Sequence, residues 1–526
     1  MLTQPKAPIA SGRGGTGHRS PRWGPRGGTG GLPTGRFGRA ARLGGLAGHT
    51  VATRARSRLR RAVGSDAAEA AERASQARLA ERYAEALGEM KGAAMKVGQI
   101  LSFVDTDGLV SAPHLETFQS ALARLQDDVP PLSEHEIASV IESELGARPE
   151  DIFAFFSPRP IAAASIGQVH LACLADGTEL AVKVQYPGVA DAIRADLANT
   201  DVLASIIRAG AGLLGPRAPR LDPKAVVDEV RARVGEELDY RVEAANQQEF
   251  ATIYGGHPFI HIPSVHPDLS TGRVLTMDYV HGRRWSSAVD ADETLRWQWG
   301  ETIFRFVFAS LHRHGVFNAD PHPGNYLFHD VGSVTFLDFG CVKRFTGERL
   351  SVMSAVVDAA LDDDADGVRR AFMALGMLSE DDAQRIDQNR LLEFYRYALR
   401  DRWDDQPFTQ TPEFAAEIVA RSYEPLGPWY DVTRRFRMPQ DLVLLNRINL
   451  GASSVLGHLY ATADWRAIDD EIRHHGPPAT ELGRLEARWR ARRDARVGSD
   501  AGAVPSRALY TRPAPLRAEG RERLLA

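Results

Sequence analysis

Apolar and polar positions alternate most clearly between residues 160 and 188. The stretch PIAAASIGQVHLACLADGTELAVKVQYPG contains two strand-like runs on either side of Asp176-Gly177, which predicts two antiparallel strands joined by a tight turn. Further along, the apolar runs Tyr326–Phe328 and Val334–Leu337 flank turn residues 329–332. These runs predict a second, shorter hairpin.

Helical spacing of apolar residues prevails elsewhere, and nearly everything after Phe345 follows it. The other predicted helices cover residues 66–103, 114–125, 134–145, 189–213, 222–254 and 292–314. Short strands are predicted near 260–265 and 273–280. A chain of 526 residues is too long for one simple core, so we expect an α+β protein with a two-lobed body and extensions.

Charge is distributed unevenly along this chain. The net charge is −4, but the first 65 residues hold 13 Lys and Arg and no acidic residue, which leaves −17 for the remainder. Residues 1–63 are therefore predicted to be a basic, disordered leader, and two interpretations of its second half are open: a solvated arm, or an amphipathic helix on anionic lipid. From residue 483 the Arg- and Ala-rich sequence predicts a flexible tail.

Three candidate ligand residues surround the second hairpin. Asp320 and Asn325 lie in the segment that enters it, and Asp338 lies at its exit. Carboxylate and amide oxygens suit a hard cation, and a further carboxylate can accept a proton from an attacking group. The spacing therefore predicts a site for Mg²⁺ and a nucleotide.

Lys183 lies in the second strand of the first hairpin. An isolated Lys in an apolar strand is usually an edge residue, but here it follows a strand, a turn and a segment of small residues. Protein kinases place a phosphate-binding Lys in this order, after a glycine-rich loop. At the position of that loop this chain has Ala162, Ala163, Ala164 and Ser165, followed by Gly167, so we expect a stiffer loop.

An acidic partner for Lys183 is sought in the segment GEELDYRVEAANQQEF. In one helix, Asp239 and Glu243 would share a face, whereas Glu237 and Glu243 would diverge by about 120°. The simpler interpretation of this segment is a solvated acidic helix face.

Several motifs in order resemble those of the UbiB/AarF (ADCK-like) family of atypical protein-kinase-like proteins, over roughly residues 80–465. They are K-V-G-Q at 96–99, A-A-A-S at 162–165, E-L-D at 237–239 followed by Glu243, D-P-H-P-G-N at 320–325 and D-F-G at 338–340.

The resemblance implies a two-lobed protein-kinase-like fold. Its expected divisions are a helical extension at 64–148 that carries K-x-G-Q, an N-lobe with a long helical insert at 149–280 and a helical C-lobe at 281–482. Lys183 and Glu243 would form the ion pair, Asp320 would be the catalytic carboxylate, and Asn325 and Asp338 would bind Mg²⁺. The regulatory residues implied are Lys96, Gln99, Glu237 and Asp239.

The activity implied is ATP hydrolysis, or phosphoryl transfer to a small or lipid-soluble acceptor, in isoprenoid-quinone biosynthesis or lipid homeostasis. ATP and Mg²⁺ are the expected cofactors. Two alternatives stay open: a non-catalytic nucleotide-dependent scaffold, and an aminoglycoside- or choline-type phosphotransferase. The K-x-G-Q segment argues against the phosphotransferase, and the intact Lys, Asp and Asn set argues against the scaffold.

Two departures from the family pattern concern Asn318 and the membrane. Asn318 stands where relatives usually have His, although a hydrogen-bonding side chain is retained. No paired transmembrane helices follow the body, so we expect a cytoplasmic protein with peripheral contact at the inner face of the membrane. Cys173 and Cys341 are far apart, which favours a reducing compartment. No nucleic-acid partner is expected, and homodimerisation is left open.

Overall fold

A computed structural model describes residues 132–164, 166–198, 235, 238–423, 427–437 and 439–499. The predicted leader, the K-x-G-Q segment with Lys96 and Gln99, and residues Ser165 and Glu237 lie outside these residues.

The chain enters this part through two helices, α1 (Glu134–Leu145) and α2 (Pro149–Ile152). Helix α1 has the predicted bounds, and it begins with a capping box between Ser133 and Glu136. Its apolar face is buried against the nearby sheet. The residues in this small core include Ile137, Val140, Ile141, Phe153, Val182 and Val184.

A five-stranded antiparallel sheet follows. Its strands are β1 (Phe155–Phe156), β2 (Ala162–Ala164), β3 (Gly167–Cys173), β4 (Glu179–Gln185) and, later in the chain, β6 (Val274–Asp278). The order is β1-β3-β4-β6, and β2 also pairs with β3. Gly177 has a φ of +90°, which suits the tight turn between β3 and β4. The predicted first hairpin is confirmed.

The prediction of an Ala-rich loop is wrong for Ala162–Ala164, because these residues form β2. Ala162 pairs with Val169, and Ala164 pairs with Gly167. Close packing of this corner requires glycine at 167, since a Cβ there would lie 2.1 Å from the carbonyl oxygen of Val184.

Among the described residues, β4 is followed by α3 (Val189–Ala198) and, after a gap, by α4 (Tyr240–Ile253). The predicted helix at 222–254 is not continuous, because α4 begins only at Tyr240. Asp239 is the N-cap of α4, with extended backbone angles, and its carboxylate accepts a hydrogen bond from the backbone N–H of Arg241. The sequence had suggested that Asp239 and Glu243 share one helical face. They do not, because Asp239 lies outside the helix as its N-cap.

Strand β5 (Ile260–His261), a 3₁₀ turn (Pro267–Leu269) and β6 lead to the helix-rich part. It begins with α5 (Trp285–Ala288) and α6 (Glu293–His314), followed by the strands β7 (Val316–Asn318), β8 (Tyr326–Phe328), β9 (Val334–Phe336) and β10 (Val342–Arg344). The β8–β9 hairpin confirms the second predicted hairpin, and β5 joins it in parallel. Strand β10 pairs with β7.

The remaining elements are almost all helices. They are α7 (Gly347–Leu361), α8 (Ala365–Ala374), α9 (Glu380–Arg385), α10 (Gln388–Ala398), α11 (Arg400–Trp403), β11 (Phe408–Thr409), α12 (Pro412–Tyr423), α13 (Tyr430–Thr433), α14 (Gln440–His458), β12 (Thr462–Ala463), α15 (Trp465–His474) and α16 (Glu481–Ser499). The main core surrounds α6, and its fully buried rings include Trp299, Phe304, Phe328, Phe336 and Trp465.

Helix α16 corrects the prediction of a flexible tail over residues 483–499. Trp489 is buried against this core, and its indole N–H donates to the carbonyl oxygen of Gly255 at 3.1 Å. The few apolar residues of the helix are concentrated on one face, so the Arg-rich composition concealed its packing. Among the residues described, no helix is both long and apolar enough to cross a bilayer.

Candidate nucleotide site

Lys183 is the centre of the site. It lies in the middle of β4, between β3 and β6, and only 8% of the residue is exposed. Its Nζ donates to both carboxylate oxygens of Glu243 at 2.8 Å. Burial acts to lower the pKa of Lys183, but the negative charges of Glu243 and Asp338 outweigh it and raise that pKa above its usual value. Lys183 is therefore charged at any physiological pH.

Helix α4 places Glu243 opposite this lysine. Glu243 lies in the first turn of the helix and is 5% exposed. Tyr240, three residues earlier on the same face, has its ring centre 5.0 Å from the Lys183 Nζ. The ammonium group is thus held by a carboxylate and an aromatic face from one helix.

Asp338 brings a second carboxylate toward Lys183. Its Oδ2 lies 3.7 Å from the Nζ, and about a third of its side chain is exposed. The other oxygen, Oδ1, accepts a hydrogen bond from the backbone N–H of Gly340 at 2.9 Å. A Cβ at position 340 would lie 3.3 Å from that oxygen, so glycine leaves room for the turn.

Asn318 connects the Asp338 segment to the Asp320 segment. Its Nδ2 donates to the backbone carbonyl of Asp338 at 2.5 Å, and its Oδ1 accepts from the backbone N–H of Asp320 at 3.0 Å. Asn325 Nδ2 donates to Asp320 Oδ2 at 3.1 Å. The two carboxylate-bearing segments are therefore adjacent in space, although 18 positions separate the carboxylates in the sequence.

A rigid turn carries Asp320 and Asn325. Residues Pro323–Asn325 form a 3₁₀ turn, and His322 caps it by accepting from the backbone N–H of Gly324 at 3.1 Å. His322 thus has a structural contact in this turn. His329 points elsewhere and bonds to Thr335 Oγ1 at 2.8 Å.

The donor set suits a magnesium-bound nucleotide. Asp338 and Asn325 offer hard oxygen ligands, and Mg²⁺ commonly takes only one or two protein ligands beside substrate phosphates and water. In the part of the chain that the structure describes, no group of three or more His, Cys, Asp or Glu could hold a metal by itself. The residues fit a metal that arrives with phosphate rather than one caged by protein.

Comparison with known proteins identifies the family of this chain. The family model for the ABC1 atypical kinase-like domain matches residues 124–372. Atypical kinase COQ8B, mitochondrial, of Rattus norvegicus is 31% identical over 402 residues, which cover 75% of this chain and 72% of that protein. The chain belongs to the ABC1 (UbiB/AarF) family of atypical kinase-like proteins.

Two further relatives of this ABC1 family protein are informative. The protein ACTIVITY OF BC1 COMPLEX KINASE 8, chloroplastic, of Arabidopsis thaliana is 35% identical over 276 residues, and these cover 50% of this chain but only 35% of the plant protein. The solved complex of Rv3197 with erythromycin from Mycobacterium tuberculosis has a TM-score of 0.56 and 28% identity, and it covers 78% of this chain and 99% of that one. The solved structure supports the mixed helix-and-sheet fold, and the family model describes the domain as kinase-like.

The structure of this ABC1 family member brings together five predicted site residues: Lys183, Glu243, Asp320, Asn325 and Asp338. Ala162–Ala164 lie in β2 beside Gly167, on the same sheet as Lys183. Asp239 is not part of this group, because it caps α4 and its side chain is 43% exposed beside Arg241.

The sequence analysis did not identify two residues of α4 that contact the site. Tyr240 lies against Lys183, and Asn246 donates a hydrogen bond to the backbone carbonyl of Phe339, next to Asp338. The signal was present, because Tyr240, Glu243, Asn246 and Phe250 recur at helical spacing and are all buried. That pattern marks the inward face of α4 once the helix start at Tyr240 is known.

Proposed function

We propose that this ABC1 family protein binds Mg-ATP at the cleft beside Lys183 and hydrolyses it or transfers its phosphoryl group to a small or lipid-soluble acceptor. One observation carries this proposal: a single buried lysine, paired with Glu243, also lies 3.7 Å from the partly exposed carboxylate of Asp338. A cation and a metal-ligating carboxylate side by side are what the charged end of a nucleotide requires.

Each residue then has a distinct role. Lys183 offsets phosphate charge, and Glu243 keeps the ammonium group in place. Asp338 and Asn325 supply oxygen ligands to the metal, and Asp320 orients the attacking hydroxyl or water and accepts its proton. Bound Mg-ATP would supply the transferable phosphoryl group and the metal charge that neutralises its oxygens.

The corner between β2 and β3 is proposed to cover the phosphates. Ala162–Ala164 and Gly167 occupy it, and pairing of β2 with β3 limits its movement. Ser165 belongs to the same proposed phosphate-binding set. A cover built from alanine restricts φ more than one built from glycine, so access to the phosphates is narrower.

The finer family features are part of the same proposal. We infer a two-lobed kinase arrangement, with Lys96 and Gln99 of the N-terminal extension gating the acceptor site beside Glu237 and Asp239. Support of isoprenoid-quinone biosynthesis or lipid homeostasis is proposed from the family resemblance, as is peripheral contact of the leader with anionic membrane.

The test compares wild type with Asp320→Asn in two measurements, binding of Mg-ATP by thermal shift and release of phosphate. Binding should persist in Asp320→Asn, whereas turnover should fall by about 10²–10⁴-fold, because the proton acceptor is lost. Asp330→Asn, in the exposed turn of the same hairpin, is the matched control and should keep both properties.

Wild-type protein that shows no magnesium-dependent nucleotide binding would refute the proposal. Wild-type protein that binds Mg-ATP but releases no phosphate would instead favour the nucleotide-dependent scaffold.

A further inference from the structure

The inward face of α4 makes three separate contacts with the catalytic segments, one turn apart. Glu243 binds Lys183, as described above. Asn246, which is 6% exposed, donates from Nδ2 to the backbone carbonyl of Phe339 at 2.9 Å. Phe250 packs its ring against the Phe339 ring, with centroids 5.0 Å apart. The helix is therefore attached directly to the Asp338–Gly340 turn.

Arg344 completes the polar part of this attachment. Its Nη2 donates to Asn246 Oδ1 at 2.9 Å, and the same guanidinium forms an ion pair with Glu249 on the exposed side of α4. Arg344 is the last residue of β10, and β10 pairs with β7 so that Val342 lies opposite Asn318. Asn318 in turn holds Asp320 and Asp338, so one continuous set of contacts joins α4 to both carboxylate-bearing segments.

On the sheet side, α4 has a different attachment. Gln247 donates to the backbone carbonyl of Pro263 at 2.8 Å. Adjacent residues of one helix, Asn246 and Gln247, thus fasten it to the helix-rich part and to the segment that precedes β6. The position of Glu243 depends on both attachments, because α4 lies between them.

We propose that Asn246, Arg344 and Glu249 form a latch that positions α4, and thereby Glu243, for nucleotide binding and turnover. The three are positioning residues, since they act through Glu243 and the Asp338 turn rather than on substrate. The latch rests on the proposed function, because its readout in activity is Mg-ATP binding and hydrolysis.

Asn246 contributes most of the free energy that holds the latch together. The Arg344–Glu249 ion pair is weak by itself, because its side chains are 38% and 33% exposed. The Asn246 amide is buried, and both its oxygen and its nitrogen are satisfied only when Arg344 and Phe339 are in place. Loss of Arg344 would leave a buried carbonyl oxygen without that donor, which favours displacement of the helix.

The test uses the full chain and three variants. Arg344→Met should lower kcat/KM for Mg-ATP by on the order of tenfold, and Arg344→Lys should retain more of it because a donor and a charge are kept. Arg283→Met is the matched control, since the Arg283 side chain is exposed to a similar extent (44%) and forms an ion pair with the more exposed Asp330 in the hairpin turn. It should leave kcat/KM unchanged.

A double-mutant cycle with Glu243→Gln separates positioning from general weakening. If the latch acts through Glu243, Arg344→Met should cause little further loss of nucleotide affinity in the Glu243→Gln background. Equal losses in both backgrounds, or an Arg344→Met variant as active as the Arg283→Met control, would overturn the proposal.

Hydrogen exchange of the α4 amides gives a readout that needs no activity. Arg344→Met should accelerate their exchange by on the order of tenfold, and Arg283→Met should not. A wild-type protein without nucleotide binding would refute the proposed function alone, and unchanged α4 exchange in Arg344→Met would refute the latch alone.

Discussion

Lys183 in β4 and Arg305 in α6 are both buried cations, yet their surroundings differ. Arg305 is 0% exposed and uses its guanidinium N–H groups in five hydrogen bonds to carboxylates and a hydroxyl. Its partners are Glu301, Glu471, Glu486 and Thr480. Lys183 has one close carboxylate, Glu243, and a second, Asp338, that is more distant and about a third exposed.

The difference separates a structural role from a chemical one. The donors of Arg305 are all used within the protein, and they join α6 to α15 and α16, two consecutive helices more than 150 positions later in the sequence. At Lys183, by contrast, a buried cation lies 3.7 Å from a carboxylate, that of Asp338, whose side chain is about a third exposed. Buried ion pairs alone are weak evidence for function, so accessibility of the second carboxylate is the informative feature.

The largest loss of stability should follow from removing Arg305 from its cluster of buried carboxylates. Arg305→Met would remove the cation of the buried carboxylate of Glu301 and would leave the buried carboxylates of Glu471 and Glu486 with Arg313 and Arg490 alone. We expect the free energy of unfolding to fall by about 3–5 kcal/mol. Denaturant unfolding measures this change. Arg484→Met, which removes an exposed ion pair on α16, is the control and should cost less than about 1 kcal/mol. Similar losses in the two variants would contradict the structural role of Arg305.

Asp338→Asn should have little effect on stability and a large effect on nucleotide affinity, the opposite of Arg305→Met. Lys183 keeps Glu243 in this variant, so unfolding free energy should change by only about 0–1 kcal/mol. Affinity for Mg-ATP should fall by about 100-fold or more, because a charged metal ligand is lost and even outer-shell partners of a metal are worth 10–100-fold. Titration by thermal shift measures it. An undiminished shift would remove Asp338 from the metal site.

Acid should lower the free energy of unfolding through His257, which lies between α4 and β5. This residue is 3% exposed, and burial, assisted by nearby cations, lowers its pKa to about 2. Below about pH 6.5 the unfolded chain binds a proton there that the folded protein does not, so stability is lost as the pH falls from 6.5 toward 2. From pH 7.5 to pH 5 this amounts to about 2 kcal/mol.

His257→Asn tests this assignment. The variant loses ring packing against Trp489 and should be less stable at both pH values, but the fall in stability between them should be about 2 kcal/mol smaller than in wild type. Chemical denaturation at the two pH values measures the difference. An unchanged pH dependence would mean that other groups control acid sensitivity.

The smallest effect is expected from Ala164→Gly at the end of β2. Added backbone freedom should cost about 0.5–1 kcal/mol of stability and change nucleotide affinity a few-fold, because Ala164 pairs with Gly167 in the proposed phosphate cover. The Arg305 cluster should be unaffected. Nucleotide titration of the variant checks this, and identical affinity would show that the stiffness of the cover has no role.

The sequence alone determined the elements that depend on local signals. The β3–β4 and β8–β9 hairpins follow from alternation around turn residues, and α1 follows from its capping box and apolar spacing. Lys183, Asp320, Asn325 and Asp338 could be named for the same reason, since each has a fixed offset from a strand or a turn. These features rest on neighbours within a few residues, which the sequence displays directly.

The residue pattern by itself did not decide which acidic residue meets Lys183; the family resemblance pointed to Glu243, and the tertiary structure shows that contact. Glu243 and Asp239 were both candidates, and the N-cap at Asp239 settled the start of α4 and therefore its inward face. Likewise, α16 is packed because Trp489 and Glu486 reach Gly255 and Arg305, more than 180 positions earlier. Such contacts depend on distances between segments remote in the chain, and composition carries no record of them.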